Sequence, residues 1–268
     1  MSQEQQASKK RVLITGAAGR IGKALAERLG DRYRLRLQYR HSIPPEHEAA
    51  AALAKETGAP SPLEGTPHEV FVAGAEDLAA MERACAGVDA VVHMAADPRV
   101  QAPWEDILNA NIVGTYNVYE AARGAGVKKI VFASSNHATG YYEKDSVYTT
   151  PEMPVRPDSY YGVSKVFGEA LGRYYADAHG ISVICLRIGS FQPAPRGKRQ
   201  LSTWISHRDT AQLVRRAIDS DAPYLVCYGI SGNTRAYWDL TNAREVLGYA
   251  PEDNAEDHAA EVLASGKA

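Results

Sequence analysis

Arg11-Val-Leu-Ile-Thr15 runs directly into Gly16-Ala-Ala-Gly19-Arg20-Ile21-Gly22, and that junction decides the fold. Five short, largely branched apolar residues read as a buried strand. The stretch that follows sets Ile21, Leu25 and Leu29 near helical spacing and ends at Gly30, the pattern of an amphipathic helix. Glycines between the two permit a tight turn, let backbone amides close on a pyrophosphate, and let helix pack on strand. The helix N-terminus then faces the phosphates with free amides and a positive dipole end. A glycine-rich turn alone is common, but between a strand and a helix it reads as a dinucleotide site.

Outward from this turn the alternation continues. Further strands are expected at Leu35 to Tyr39, Glu69 to Ala73, Ala90 to Met94, Lys129 to Ala133 and Ser182 to Arg187. Helices are expected at Leu78 to Cys85, Trp104 to Arg123 and Tyr160 to Ala178. Later elements are a helix from Arg208 to Asp219, a strand from Tyr224 to Tyr228 and a short helix from Leu240 to Leu247. Short apolar strands alternating with helices imply a parallel sheet covered on both faces, an α/β doubly wound Rossmann fold. One domain is expected over residues 1–268, with the Rossmann part at roughly 11–190 and a small substrate-capping region at roughly 191–207 and 221–257. His41 to Pro67, with five prolines and an Ala-rich helix from Glu46 to Glu56, reads as an insertion after the second strand. The tail after Asp257 is polar enough to fray.

Composition excludes several classes. Thirty basic against thirty-two acidic residues give a formal charge of −2 with no cationic stripe, so no nucleic-acid partner is expected. No apolar run is long enough to span a bilayer, and Met1 to Lys10 lacks the apolar core of a signal peptide, so a cytoplasmic protein is expected. Cys85, Cys185 and Cys227 are too scattered for a disulfide framework. His41, His47 and His68 lack metal-ligand spacing, so no metal is expected. His93, at a strand end, reads as core, and Trp104 and Trp204 read as packing residues, with Trp204 near the substrate and Tyr141 able to line the pocket.

The chemistry-bearing residues lie in order behind the glycine turn. Tyr161-Gly-Val-Ser-Lys165 opens a helix, and positions i and i+4 share a face, so the Lys165 ammonium can lie beside the Tyr161 phenol. A phenol must fall from near 10 toward about 7 to act as a base, which takes about 4 kcal/mol from neighbouring charge. Ser134 and Ser135 sit at the carboxyl end of a strand, where open parallel sheets bind ligands. At the end of the second strand, Gln38-Tyr39-Arg40-His41 has no carboxylate for ribose hydroxyls. Arg40 there suits a 2′-phosphate, or is simply solvated, so NADP is expected and NAD remains an alternative. Arg99 and Arg199 follow strand ends that open on one crevice and are expected to converge on an anionic substituent.

Taken together, these features resemble the extended branch of the short-chain dehydrogenase/reductase superfamily, from Arg11 to about Glu256. Phe132-Ala-Ser-Ser-Asn-His137, Tyr161-Gly-Val-Ser-Lys165, Arg187-Ile-Gly-Ser190 and Arg199-Gln-Leu-Ser-Thr-Trp204 look like the uronate dehydrogenases. Asp97-Pro-Arg99, Ala102-Pro-Trp104 and Arg244-Glu-Val-Leu-Gly-Tyr249 look more like the archaeal short-chain glucose-6-phosphate dehydrogenases. The resemblance implies Tyr161 as base, Lys165 as its helper and ribose ligand, Ser135 on the reacting oxygen, and Asn111 behind the nicotinamide. It implies Asn136, His137, Ser190 and Arg199 as substrate ligands, with Arg199 on a carboxylate. Implied cofactor contacts are Gly16, Gly19, Arg20, Ile21 and Gly22 at the turn, Tyr39, Arg40 and His41 after the second strand, and Ala95, Lys165 and Ile188. The departures fall on the adenosine half: Tyr39 and Gly74 where NAD-dependent relatives carry aspartate, and the insertion. The helices Trp104 to Arg123 and Tyr160 to Ala178 pair subunits in that family, so a homodimer is expected.

The function expected is an NAD(P)-dependent sugar 1-dehydrogenase, oxidising the anomeric carbon of an acidic aldose to a lactone. A nucleotide-sugar epimerase or dehydratase is the alternative, weakened because only 79 residues follow Gly189. A cofactor-sensing regulator is a third, and it would not need Tyr161 or Lys165.

Overall fold

The computed structural model describes residues 9–266, so most of the segment Met1 to Lys10 lies outside them. The strands are β1 (Arg11–Thr15), β2 (Arg34–Tyr39), β3 (Ser61–Pro62), β4 (Glu69–Val72), β5 (Ala90–His93), β6 (Lys129–Ser135), β7 (Ser182–Ile188), β8 (Ser190–Phe191), β9 (Trp204–Ile205) and β10 (Tyr224–Gly229). The helices used below are α1 (Arg20–Leu29), α2 (Glu48–Thr57), α3 (Leu78–Cys85), α4 (Trp104–Ile107), α5 (Gly114–Gly124), α6 (Gly140–Lys144), α7 (Tyr160–His179), α8 (Gln200–Thr203), α9 (His207–Asp219), α10 (Thr241–Leu247) and α11 (Ala259–Ala264). Eight strands form one sheet in the order β10-β7-β6-β5-β1-β2-β4-β3, parallel except for β3 against β4. From β1 the chain builds outward first through β2 and then, on the other side, through β5. The carboxyl ends of β1 and β5 therefore border the crevice where ligands bind in such sheets.

Strand alternation divides the core into two layers. Val12, Ile14, Leu35 and Leu37 face one side with Leu25 and Leu213, while Leu13, Val91, Ile130 and Phe132 face the other with Met81 and Tyr119. β10, inside the segment assigned to substrate capping, pairs with β7 as an edge of the main sheet. β8 and β9 form a separate two-stranded pair beside the site.

The insertion has a structural role. α2 packs its small buried residues Ala51 and Ala54 inward, and β3 covers the edge of β4. A two-residue edge strand ending in Pro62 offers little ladder to another chain. The tail departs from expectation. Instead of fraying after Asp257 it forms α11, because Ala255, Ala259 and Val262 recur at helical spacing and pack on Leu201 and Trp204. Trp104 departs too: it is 42% exposed, its edge against Tyr160, rather than buried packing. Between α4 and α5 the helix expected to run unbroken widens to π geometry over Leu108–Val113.

His93 is core. Its Nδ1 lies 2.8 Å from Thr15 Oγ1 and its Nε2 3.1 Å from Thr115 Oγ1. Burial, then the nearby Lys165 charge, push its pKa down to about 3. The unfolded chain therefore takes up this proton first on acidification. The contribution is intact above pH 6.5 and lost as pH falls from there toward 3, at about 1.4 kcal/mol per pH unit. Urea unfolding at a series of pH values should show His93→Gln with a shallower acid slope by one proton; an unchanged slope would place that proton uptake elsewhere.

Candidate active site

Two cavities meet at Gly16, one on each side of the β1–β5 boundary. Gly16 has φ +66°, and a Cβ there would lie 2.8 Å from the backbone of Ala95. A Cβ on Gly22 would lie 2.4 Å from the Gly16 carbonyl oxygen. Only glycine fits this cradle, and Gln38 braces it by accepting from Gly16 N at 2.8 Å. Arg20, Ile21 and Ile188 line the first cavity together with Gly19, and Ala95 lines the second. The residues present thus fit a dinucleotide lying across the glycine turn.

On the adenosine side the expected residues scatter. Tyr39 is buried, and its hydroxyl lies 2.8 Å from Nδ1 of His47 in the insertion. Strand alternation turns it away from the cavity that Gln38 and Arg40 line. His41 is exposed on the chain that follows. Arg40 stands at the cavity but pairs with Glu76 at 2.8 Å. Glu76 fills the space over Gly74, where a Cβ would come within 2.3 Å of its carboxylate. An acid therefore serves this corner from two positions downstream of the expected one. A sequence reading anchored on position 74 passes over it.

Three of the residues expected to react, Ser135, Tyr161 and Lys165, line the first cavity. Ser135 ends β6, and Tyr161 and Lys165 lie on the first turns of α7, whose N-cap Ser159 accepts from Gly162 N at 3.0 Å. Gly162 lets this turn approach, since a Cβ would lie 2.3 Å from the His137 carbonyl oxygen. Burial pushes the Tyr161 phenol up from its ordinary value; the Ser135 hydroxyl beside it acts to lower it, and the Asp97 charge raises it. Lys165 Nζ lies 5.3 Å from the Tyr161 ring centroid, and burial pushes its pKa down to about 8. Asn111 sits within the π-helical stretch, accepting from Asp97 N at 2.7 Å and donating to Ser164 Oγ at 3.1 Å.

Substrate-side residues line the same cavity: Asn136, His137, Ser190 and Arg199. Asp158 holds His137 Nδ1 at 2.9 Å, leaving Nε2 for a ligand. The expected convergence of Arg99 with Arg199 does not occur. Arg99 lines the other cavity, bonded to Asp97 at 3.0 Å and to Asp106 at 2.6 Å. Its short reach, two residues from Asp97, makes that local fork the easier bond. Tyr141 also lies apart, in a separate depression with Lys144 and Pro157. Trp204 is buried, its Nε1 donating to the Gln192 carbonyl oxygen at 2.8 Å.

One element of the site was not read from sequence. Arg187 Nε and Nη2 donate to Glu169 Oε1 and Oε2, both at 2.9 Å, and Ser134 Oγ donates to Glu169 at 2.6 Å. The signal available was Glu169 at i+4 from Lys165 and i+8 from Tyr161, one face of α7. Among the described residues, no group of three or more His, Cys, Asp or Glu could hold a metal ion.

Fold and site define a Rossmann protein with a serine–tyrosine–lysine centre beside a dinucleotide cradle. The chain belongs to the NAD dependent epimerase/dehydratase family, whose model matches residues 12–246. It is 41% identical to the NAD-dependent glucose-6-phosphate dehydrogenase of Haloferax volcanii over 92% of this chain and 94% of that one. It is 40% identical to the uronate dehydrogenase of Pseudomonas syringae pv. tomato over 94% of this chain and 85% of that one. The crystal structure of uronate dehydrogenase from Agrobacterium tumefaciens superposes with a TM-score of 0.84 at 38% identity, covering 96% of this chain and 90% of that one.

Tyr161→Phe removes the phenol that lines this cavity with Ser135. Turnover should fall about 10²–10⁴-fold, the usual cost of a positioned acid–base group, while cofactor affinity measured by fluorescence titration stays within a few-fold. A variant keeping most of its kcat would take Tyr161 out of the chemistry.

Proposed function

We propose that the protein is an NAD(P)-dependent sugar 1-dehydrogenase that oxidises the anomeric carbon of an aldose to the lactone. The observation that carries this reading is that the Tyr161 phenol, Ser135 and Lys165 line one cavity with the glycine cradle and Arg199. Tyr161 takes the anomeric hydroxyl proton, Ser135 holds that oxygen, and Lys165 supplies positive charge and a ribose contact. A bound oxidised nicotinamide ring would accept the hydride that leaves the same carbon. Asn136, His137 and Ser190 bind sugar hydroxyls, and residues 191–207 cover the substrate. Asn111 orders the floor by fixing Asp97 and Ser164. The epimerase and dehydratase alternative has weaker support, since two relatives about 40% identical to this chain are both sugar dehydrogenases.

Three finer readings follow. NADP is preferred, through Arg40 on the 2′-phosphate, in exchange for its pair with Glu76. The aldose carries an acidic group, carboxylate, phosphate or sulfonate, at the end facing Arg199. The enzyme is a cytoplasmic homodimer, supported by three buried free thiols and by exposed Trp104, Tyr116, Tyr160 and Tyr174 on α4, α5 and α7; sedimentation equilibrium reads the mass directly. Among the described residues no helix is long and apolar enough to cross a membrane.

Steady-state assays with both cofactors, across glucuronate, galacturonate, glucose 6-phosphate, glucose and galactose, test the reading. A charged hydrogen bond of about 1.5–3 kcal/mol gives roughly 10–150-fold, so NADP should lead NAD by at least the lower figure and Arg40→Ala should erase that lead. Arg199→Ala should cost acidic sugars one to two decades in kcat/KM, mostly through KM, and neutral ones far less. Equal use of both cofactors removes the role of Arg40. Neutral sugars oxidised as well as any acidic one remove the anion grip. No turnover of any aldose would sink the dehydrogenase.

A further inference from the structure

Arg199 lines the cavity beside Asn136 and Ser190, yet its donors are already committed. A guanidinium has five N–H groups in a fixed fork. Nε donates to Glu143 Oε1, and Nη2 donates to Glu143 Oε2 at 2.8 Å, a two-point carboxylate grip. Nη1 donates to Ser190 Oγ at 3.2 Å. In the orientation that satisfies both amide ends of Asn136, its oxygen accepts from Arg199 Nη2 at 3.2 Å. Four of the five N–H groups are thus used, and one remains.

Glu143 belongs to α6, a one-turn helix 56 residues upstream of Arg199, and its side chain is 21% exposed. The Tyr237 hydroxyl lies beside both charges. The other nearby acid, Asp158, is taken by His137. The Arg199 charge is therefore matched by Glu143 before any sugar arrives. One free N–H suits a hydroxyl or a single anionic oxygen, whereas a two-point grip on a carboxylate or phosphate needs either the Nε–Nη2 edge that Glu143 holds or the Nη1–Nη2 edge that Ser190 and Asn136 occupy.

We propose that Glu143 is a specificity-determining residue, an internal carboxylate that competes with an acidic substrate for the Arg199 fork. It narrows the preference for acidic over neutral aldoses, because an acidic substituent meets a like charge already paired with Arg199, and a neutral one does not. The inference rests on the sugar dehydrogenase reading for the identity of the ligands.

Glucuronate and glucose serve as the probe pair, differing at the end away from the reacting carbon. Their affinities are measured by calorimetry on the NADP-loaded Tyr161→Phe enzyme, alone and with Glu143→Gln or Glu143→Ala, alongside kcat/KM in the Tyr161 background. Freeing the fork and removing a like charge should raise the glucuronate-to-glucose affinity ratio about ten- to hundredfold in both Glu143 variants, with the kinetic change in KM. Gln keeps the shape of the side chain, and Ala serves as an independent second variant should the Gln protein fail to fold. If both sugars bind and the ratio moves less than about threefold, the proposal is overturned and the dehydrogenase stands. If no sugar binds or turns over in any variant, the dehydrogenase reading falls and the role of Glu143 falls with it.

Discussion

The site depends on a single buried ion pair. Arg187 on β7 and Glu169 on α7 are 2% and 4% exposed, and their two-point bond is joined by the Ser134 hydroxyl from β6. Each partner stands next to a working part: Ser134 precedes Ser135, Arg187 precedes Ile188, and Glu169 lies one turn beyond Lys165. Arg187 also donates to the Pro151 carbonyl oxygen, tying down the chain that leads into α7. Two strands and a helix are thus fixed to one another at the point where Ser135, Ile188 and Lys165 reach the cavity. Removing one partner from such a pair leaves an uncompensated charge in the core, at about 3–5 kcal/mol. Satisfied on all sides, it sets a geometry that apolar packing alone would leave free to slide.

Much of this was legible in the sequence because it is local and periodic. The glycine turn, the apolar strands and the i, i+4 pair of Tyr161 and Lys165 each carry their meaning within a few residues. Strand limits read from Arg11 to Thr15 and helix limits from Leu78 to Cys85 match the structure because Thr15 meets Gly16 and because Asp77 caps the helix. What escaped reading is long-range pairing between charges. Arg199 with Glu143, Arg40 with Glu76 and His137 with Asp158 join residues 21 to 56 apart, and nothing in the local pattern selects one acid over another. The tail escaped for a different reason: three small or branched residues among charged ones form a stripe only when Leu201 and Trp204 are there to receive it.

The adenosine half shows how an insertion changes a site without touching it. By taking the Tyr39 hydroxyl onto His47, the inserted segment removes the end of β2 from the surface where a ribose acid would stand. Arg40 and Glu76 are then the charged pair at that corner.

The π-helical stretch Leu108–Val113 has a further consequence. Gly114 N donates to the carbonyl of Asn109, five residues back, so this turn holds one residue more than its neighbours. An extra residue rotates everything downstream by about 100° relative to an unbroken helix. α4 and α5 therefore differ in phase, and the residues they turn outward follow two registers. Asn111 occupies the slip, where the ladder opens enough for its amide to reach Asp97. Deleting any one residue here would heal the helix, withdraw that amide and swing Tyr116 onto a new bearing at once. The hold on Asp97, which lines the second cavity, and the outline of the outer surface are set by the same phase error.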